Sequence, residues 1–398
     1  MRPLEHITIL DLSRVLAGPF ASMILAELGA TVIKVEQPGT GDETRTFEPF
    51  VARGDAQESA YYFAFNRSKQ SITVNLRSPE GQAVICDLAK RSDVLIENFP
   101  VGTMQRYGLH YEAIRAVNPR IVYLSCTGFG QTGPYADKKG YDTVFQAMGG
   151  MMSLTGEQGG GPVKPGLPVA DLTSGLWIAI TILAMLAGRD KEGYGGYADF
   201  SMIDGQVSLL TLAAARYFAL GEVPPRLGTE HPGRVPSATF RCADGAFVHI
   251  TASDQHWLPL CKLLGLEEWG KSAAFADNSA RVRHRDIVMA GLTAAIAIMP
   301  RDALCAACDA VGVPAGPVKS VDEVLADPHT LARAMVSAFE HPRIGSFPFL
   351  AMPFKFDGWD DPVGSCPPQL GEHTDAILAE KLGYSKERIV ALRKAKAL

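Results

Sequence analysis

Up to Ser125, short apolar runs alternate with amphipathic segments, and this alternation limits the possible folds more than any other feature of the sequence. Ile7 to Leu12 is typical of a strand, Ser13 to Gly29 has apolar residues at helical spacing, and Thr31 to Val35 is β-branched. A strand, a helix and a strand in succession form a βαβ unit. The alternation continues with a helix over 81–90, a strand over 93–97, a helix over 111–117 and a strand over 121–125. It predicts an α/β fold with a Rossmann-like parallel sheet covered by helices.

The amino-acid composition of the sequence changes after Leu220. Residues 221–237 are rich in Pro and Gly and are typical of a linker, and two alternating runs around Asp244-Gly245 predict a β-hairpin. A second Pro- and Gly-rich crossing covers Gly312 to Ser320. We therefore predict a large α/β domain over residues 1–224, a smaller α+β domain over 225–318, and a return to the large domain over 319–398.

Charge and cysteine content exclude several classes of partner. A net charge of -5 and a pI of about 6.0 provide no global basic field, so neither nucleic acid nor an anionic membrane surface is expected as a partner. An anionic ligand would need a local cluster of Lys and Arg. Seven Cys do not suggest a disulfide framework and favour a reduced, cytoplasmic setting.

Two local features suggest a buried structural role. The most apolar run, Leu176 to Gly188, is shorter than the ~20 residues that span a bilayer, so we predict a buried helix and no membrane partner. Cys305 and Cys308 fall in an amphipathic segment without a second Cys pair, and we interpret them as core side chains.

Several catalytic motifs are missing from the sequence. The turn after the first strand, Asp11 to Pro19, lacks the G-x-G-x-x-G that brings a backbone close to a dinucleotide pyrophosphate. The sequence also lacks G-x-S-x-G, H-E-x-x-H and G-x-x-x-x-G-K-[ST]. An NAD-dependent oxidoreductase is therefore a distant alternative, and no metal ligands are predicted.

Asp171 is the strongest candidate for a chemical role. It follows a Gly-rich loop that contains Gly159, Gly160 and Gly161, and it precedes an almost wholly apolar helical segment. We predict that it lies at a helix N-cap, where Asp is among the most favourable residues. A purely structural cap and a catalytic carboxylate both remain open. In the catalytic interpretation, the helix dipole keeps the carboxylate ionised, while the apolar surroundings leave it poorly hydrated and nucleophilic.

Several stretches in fixed order resemble the family III CoA-transferases, the group of formyl-CoA transferase and carnitine CoA-transferase. They extend from Asp11 to Leu378, so the resemblance covers nearly the whole chain. The stretches are LDLSRVLAGPFASMILAELGATVIKVEQPGTGD, NRSKQSITVNL, DVLIENFPVGTMQRYGL, NPRIVYLSCTGFGQTGPY, GYDTVFQAMGG, GLPVADLTSGLWIA, GVPAGPVKSVDEVLADPH and LGEHTDAIL. The resemblance implies that Asp171 is the catalytic nucleophile and that two chains form an interlocked homodimer.

The resemblance also implies that coenzyme A lies over the edge of the sheet. Gln37 stands where relatives often have Arg. The residues that match the CoA-contacting positions of the family are Leu16, Ala17, Gln37, Val74, Asn75, Leu76, Arg77, Asn98, Phe99, Pro100, Arg106, Lys138, Lys139, Gly140 and Tyr141. Most of them follow strand ends, where open α/β sheets bind ligands.

The implied activity moves CoA from an acyl-CoA thioester to a free carboxylic acid through mixed anhydride and aspartyl-CoA thioester intermediates on Asp171. It uses acyl-CoA as a substrate and no tightly bound cofactor, and relatives suggest a dicarboxylate such as succinate. Asp142 is expected to orient the site or to be an exposed loop residue, and Gly159 to Gly161 to be a mobile cover or a plain turn. A racemase of 2-methylacyl-CoA is an alternative with the same fold, but Tyr141 stands where it would need a base, and a phenol has a normal pKa near 10. A non-catalytic acyl-CoA binder is a further alternative.

Overall fold

The structure is a computed structural model that describes residues 2–358 and 364–398. The chain divides into two compact units. Unit 1 comprises Met1–Met151, Lys164–Ala214 and His329–Leu398, and unit 2 comprises Met152–Val163 and Ala215–Pro328. The predicted small domain, residues 225–318, lies within unit 2, which also contains residues 152–163 from before Asp171.

The strands are β1 (Thr8–Asp11), β2 (Thr31–Glu36), β3 (Phe50–Arg53), β4 (Ala56–Ser59), β5 (Gln70–Thr73), β6 (Val94–Glu97), β7 (Val122–Thr127), β8 (Gly196–Ser201), β9 (Ser237–Arg241), β10 (Phe247–Thr251), β11 (Ala315–Pro317), β12 (Val336–His341) and β13 (Gly345–Leu350).

The helices are α1 (Ala17–Glu27), α2 (Ala60–Asn66), α3 (Pro79–Ala89), α4 (Thr103–Arg106), α5 (Tyr111–Val117), α6 (Asp142–Met148), α7 (Met151–Leu154), α8 (Val169–Glu192), α9 (Met202–Ser208), α10 (Thr211–Leu220), α11 (Asp254–Leu263), α12 (Glu267–Lys271), α13 (Asn278–Arg283), α14 (Arg285–Ile296), α15 (Arg301–Ala310), α16 (Val321–Leu325), α17 (Pro328–Ala332), α18 (Thr374–Leu382) and α19 (Lys386–Lys394). Two short 3₁₀ turns cover Glu43–Thr46 and Ala273–Phe275.

Unit 1 contains a six-stranded parallel sheet in the order β5-β2-β1-β6-β7-β8. The alternation in the sequence thus predicted the fold class and the strands β1, β2, β6 and β7 correctly. Strands β5 and β8, which were not predicted, form the two edges. Because the chain turns outward in both directions from β1 and β6, the carboxyl ends of these two strands form the topological switch point, where open α/β sheets bind ligands.

The predicted helix over Ser13 to Gly29 is wrong at its start. Helix α1 begins at Ala17, and residues 13–16 form a tight turn in which Val15 has a positive φ of 69°. The buried carboxylate of Asp11 accepts hydrogen bonds from both the backbone N–H (2.9 Å) and the hydroxyl of Ser13, so the chain folds back before the helix starts.

Apolar cores cover both faces of the sheet. On one face, residues such as Ile9, Ile96 and Leu124 pack with α1 and α8. On the other face, residues such as Leu10, Ile33 and Leu95 pack with α3, α5 and the C-terminal helices α18 and α19. Burial on both faces is the reason that strands of parallel sheets are continuous apolar runs rather than alternating ones.

Helix α8 is longer and more exposed than predicted. It has 24 residues, and Leu176, Trp177 and Ile180 are 49%, 41% and 54% exposed, so the prediction of a buried helix is wrong for the face that carries these residues. In the described part of the chain, α8 is the single helix long and apolar enough to cross a membrane, and α14 with α15 would qualify only as one strongly bent span. Core helices of soluble proteins meet the same criteria.

Unit 2 contains a three-stranded sheet in the order β11-β10-β9, packed against helices. The predicted hairpin is present, since β9 and β10 pair antiparallel on either side of Asp244-Gly245. Cys308 lies in the core of this unit and Cys305 packs against it, as predicted.

Candidate active site

Asp171 lies in the first turn of α8 as its third residue. The N-cap is Pro168, which makes no side-chain capping hydrogen bond, so the prediction that Asp171 itself is the cap is wrong. The reason is that a residue distant in sequence supplies the capping carboxylate, and the Asp171 side chain is therefore left for another role.

Asp142, the first residue of α6, caps helix α8. Its Oδ1 accepts hydrogen bonds from the backbone N–H groups of Ala170 (2.8 Å) and Asp171 (3.2 Å). Its Oδ2 accepts a hydrogen bond from Nε2 of Gln146 (2.6 Å), a residue with no exposed surface. Both oxygens of Asp142 are thus fixed, and through them the backbone that carries the candidate nucleophile is fixed as well.

The ionisation of the Asp171 carboxyl is opposed rather than favoured. Burial, together with the negative charge of Asp142, raises the pKa of Asp171 from 3.8 to about 7. The prediction that the helix dipole keeps it readily ionised is therefore wrong. Asp142 occupies the N–H groups that would have favoured the anion, and it adds a like charge. A carboxylate with a raised pKa is more basic and hence a stronger nucleophile once it is ionised.

Two further side chains lie within the electrostatic reach of Asp171. Burial raises the pKa of Tyr61 to about 12, with contributions from the charges of Asp171 and Asp142. The thiol of Cys126, at the carboxyl end of β7, has its pKa raised by burial and by nearby carboxylates that include Asp171. Tyr61 and Gln146 were not predicted as site residues, because nothing in the surrounding sequence distinguishes them from ordinary helix residues.

A cavity of about 180 Å³ lies over the carboxyl ends of β2, β5 and β6. Besides Arg14 and Tyr107, its lining includes a group of the residues that the family resemblance assigns to CoA binding. These are Gln37, Val74, Asn75, Leu76, Arg77 and Phe99. The structure thus brings together residues from three separate turns at the carboxyl ends of the parallel strands.

The remaining predicted CoA contacts lie outside this lining. Leu16 and Ala17 are almost fully buried, so they can offer a ligand only backbone groups. Pro100 lines a neighbouring cavity of about 260 Å³ that shares Phe99 with the first one. Arg106 donates a hydrogen bond to the hydroxyl of Thr103 (2.8 Å).

Residues 138–141 precede helix α6 in the chain. The Lys138 ammonium lies 3.6 Å from the centre of the Tyr135 ring, and Lys139 is exposed. Gly140 lies against the Phe145 ring, whose atoms would be 2.5 Å from an added Cβ, and Tyr141 is 81% exposed. This segment therefore presents its two cations at the surface next to the residue that caps α8.

The glycine run of residues 159–161 forms a closed turn within unit 2. Gly160 N–H donates to the carbonyl of Glu157 (2.9 Å), and the Gly160 carbonyl accepts from Nε (3.1 Å) and Nη2 (2.6 Å) of Arg226. Arg226 is partly exposed, and the two hydrogen bonds from its guanidinium stabilise this turn.

The fold and site define an α/β protein with a cavity at the carboxyl ends of its parallel strands and a carboxyl group, Asp171, whose pKa is raised. In the described residues, no cluster of three His, Cys, Asp or Glu is arranged to hold a metal ion. The chain belongs to CoA-transferase family III, since the model of that family matches residues 4–374. It is accordingly a CoA-transferase, with acyl-CoA as a substrate.

Curated relatives and a solved structure are similar over nearly the whole chain. Succinyl-CoA:glutarate CoA-transferase of Homo sapiens is 38% identical over 99% of this chain and 90% of its own length. Succinate–glutarate CoA-transferase of Agrobacterium fabrum is 39% identical over 95% of each chain. The crystal structure of a CAIB/BAIF family protein from Brucella suis superposes with a TM-score of 0.85 at 41% identity, covering 95% of this chain and 99% of that one.

Proposed function

We propose that this protein transfers CoA from succinyl-CoA to a short dicarboxylate, with glutarate as the first candidate, through a covalent intermediate on Asp171. The names of the relatives support the substrates. The observation that carries the mechanism is the environment of Asp171. Its carboxyl is mostly buried, has a pKa of about 7, and sits on a backbone fixed by Asp142.

In the first half of the reaction, an oxygen of the Asp171 carboxylate attacks the thioester carbonyl carbon of succinyl-CoA. The C–S bond breaks, which leaves a succinyl-aspartyl anhydride and CoA thiolate. The thiolate then attacks the aspartyl carbonyl carbon and releases succinate, so that Asp171 carries CoA as a thioester.

In the second half, the carboxylate of the acceptor attacks the aspartyl thioester and displaces the thiolate, which gives a second anhydride. The thiolate attacks the acceptor carbonyl carbon, forms the new acyl-CoA and returns Asp171 as a carboxylate. Each step exchanges one activated acyl group for another, so the sequence balances without a further reactant. Burial around Asp171 supports this scheme, because water would hydrolyse an anhydride.

The racemase alternative receives less support. Proton transfer at the α-carbon needs a second base, and Tyr141, which stands at that position, is 81% exposed at the start of α6. The named relatives at 38–39% identity are CoA-transferases. Absence of α-proton exchange in deuterated water without an acceptor acid is the expected result.

Chemical trapping tests the covalent step. The enzyme is incubated with succinyl-CoA, quenched with hydroxylamine, digested and mapped by mass spectrometry; a hydroxamate at Asp171 is expected. The Asp171→Asn variant should give no hydroxamate and no turnover. Asp204→Asn is the matched control, since Asp204 is likewise the third residue of its helix, α9, and is exposed. A hydroxamate at another residue, or turnover by Asp171→Asn, would refute the mechanism.

A pair of acceptor acids tests the substrate class. Glutarate and pentanoate have the same chain length and differ by the second carboxylate. Glutarate is expected to exceed pentanoate in kcat/KM by at least about 10²-fold, because a site that pairs a carboxylate rejects an analogue that lacks it. Equal use of the two acids would remove dicarboxylate specificity while leaving the covalent mechanism intact.

A further inference from the structure

We infer that Asn98 and Asp42 are positioning residues that hold the turn of residues 13–16, with Val15 in a left-handed conformation, and so shape the acyl-CoA site. The inference rests on the proposed function, because it assigns these residues a part in binding the thioester substrate. It also differs from the family expectation that Asn98 contacts CoA itself.

The turn contains an uncommon backbone conformation. Val15 has a φ of 69°, in the left-handed region where the Cβ of an L-residue is crowded by its own backbone. For a β-branched residue this conformation is a genuine outlier, and such outliers persist only where the surrounding structure imposes them. The surroundings of Val15 should therefore contain the groups that impose it.

Asn98 makes hydrogen bonds to both backbone polar groups of Arg14, the residue immediately before Val15. Its Oδ1 accepts a hydrogen bond from the N–H of Arg14 (2.9 Å), and its Nδ2 donates to the carbonyl of Arg14 (2.8 Å). Asn98 directly follows β6, and Arg14 lies shortly after β1. Their hydrogen bonds therefore join the two chain segments that leave the sheet at its topological switch point. The amide of Asn98 thus uses its oxygen and its nitrogen on the two backbone polar groups of Arg14.

Asp42 holds Val15 itself. Its carboxylate accepts from the N–H of Val15 (3.3 Å) and is paired with Nζ of Lys34 (2.8 Å), which also donates to the carbonyl of Ser13 (3.0 Å). Asp42 and Lys34 are both almost completely buried, so neither can move without breaking the pair. Buried hydrogen-bonded networks of this kind rigidify the backbone that they contact.

The imposed turn determines what the start of α1 offers a ligand. No side chain caps α1 at Leu16, and an added Cβ on Gly18 would lie 2.4 Å from the Ser13 side chain, so the turn packs tightly on the first helical residues. Leu16 and Ala17, which are buried as side chains, therefore depend on the geometry of the turn to direct their backbone groups at the switch point.

A second-site rescue separates positioning from direct contact. We expect Asn98→Ala to raise the dissociation constant of CoA, measured by titration calorimetry, by about tenfold, since Arg14 loses both of its backbone partners. Glycine adopts the left-handed region without steric cost. Adding Val15→Gly to Asn98→Ala should therefore restore affinity to within about threefold of the wild type.

The matched control is Asn118→Ala. Asn118 also bridges backbone groups, donating from Nδ2 to the carbonyls of Ala89 and Ser92 at 2.8 Å. It precedes β7, however, and so lies at the amino ends of the parallel strands rather than at the carboxyl ends that carry the cavity. Its loss should lower thermal stability and leave CoA affinity unchanged. The inference is overturned if Asn98→Ala binds CoA normally, or if Val15→Gly fails to restore the affinity of Asn98→Ala. Because these measurements use CoA binding, they remain decisive if the exchange of CoA between acids is not observed.

Discussion

At the scale of single residues, the site depends on a conflict between burial and ionisation at Asp171. The folded chain holds this carboxyl at a pKa of about 7, against an ordinary value of 3.8, through burial and the charge of Asp142. Such a conflict costs stability and is typical of groups that perform chemistry rather than of groups that stabilise a fold.

The first prediction concerns stability. Between pH 3.8 and about 7, the folded chain retains a proton on Asp171 that the unfolded chain has lost, so stability falls as the pH rises through this window. Asp171→Asn removes this penalty and should raise the free energy of unfolding by about 2 kcal/mol at about pH 8, with a smaller gain at about pH 5.5. Urea unfolding measures both values. An equal gain at the two pH values would contradict the assignment, and Asp204→Asn should change little at either.

The second prediction concerns the pH dependence of the chemistry. Formation of the aspartyl intermediate needs ionised Asp171, so its rate should rise with pH through about 7. Asn at position 142 keeps an oxygen for the N–H groups of Ala170 and Asp171 but removes the charge. Asp142→Asn should therefore move the midpoint of this rise to lower pH.

Rapid-quench measurements with succinyl-CoA across the pH range provide the test of that shift. Asp142→Ala is the comparison, because it removes the cap as well as the charge and should lower the rate at every pH. An unchanged midpoint in Asp142→Asn would show that the charge of Asp142 does not reach Asp171.

At the scale of elements, helix α8 connects the core of unit 1 to Asp171. Its inner face places small residues against α1, and Arg189 near its end donates to Asp93 (2.9 Å). The buried residues of α8 are Ala170, Ser174, Gly175, Ile178, Ala179, Ile182, Leu186 and Arg189. Because their spacing follows three and four residues, one face is fixed to the core while the opposite face remains exposed.

Two glycines of this helix provide the third prediction. An added Cβ at Gly175 would lie 2.7 Å from the Phe20 ring and 3.0 Å from the Ala17 carbonyl oxygen, whereas one at Gly188 would meet nothing within 4 Å. Gly175→Ala should lower the free energy of unfolding by about 1–3 kcal/mol through overpacking. Gly188→Ala should raise it by about 0.5–1 kcal/mol through helix propensity. Urea unfolding of both variants is the measurement, and shifts of the same sign would contradict the packing described here.

At the scale of the whole molecule, unit 1 carries large apolar side chains at its surface. Leu176, Trp177 and Ile180 of α8 are joined by Val207 of α9 at 52% and Leu212 of α10 at 78% exposure. Exposed apolar groups of this size are typical of surfaces that associate with another chain. The homodimer that the family resemblance implies stays a prediction, and these side chains are the candidates for its interface.

The fourth prediction follows from this surface. The chain of 42.7 kDa should show roughly twice that mass in light scattering. Replacing Leu176 and Ile180 together by Asp should lower the mass towards that of one chain. Val117→Asp is the control, since Val117 is 40% exposed at the end of α5 and away from α8 in the sequence. A wild-type mass of one chain would refute the dimer.

The sequence by itself determined the fold class, most strands of the parallel sheet and the position of Asp171 at the start of an apolar helix. These features depend on local periodicity and on residue order, which a sequence contains directly. The family resemblance pointed to residues that follow β2, β5 and β6, and the structure places several of them around one cavity at the carboxyl ends of these strands.

Only the tertiary structure decided how Asp171 behaves. Its helix is capped by Asp142, 29 residues earlier, and burial together with the charge of Asp142 raises its pKa, against the expected direction. Likewise, Val15 is held in its left-handed conformation by Asn98 and Asp42, which are remote from it in sequence. Ionisation and strain depend on distances between groups that the chain brings together by folding, and local sequence patterns do not contain those distances.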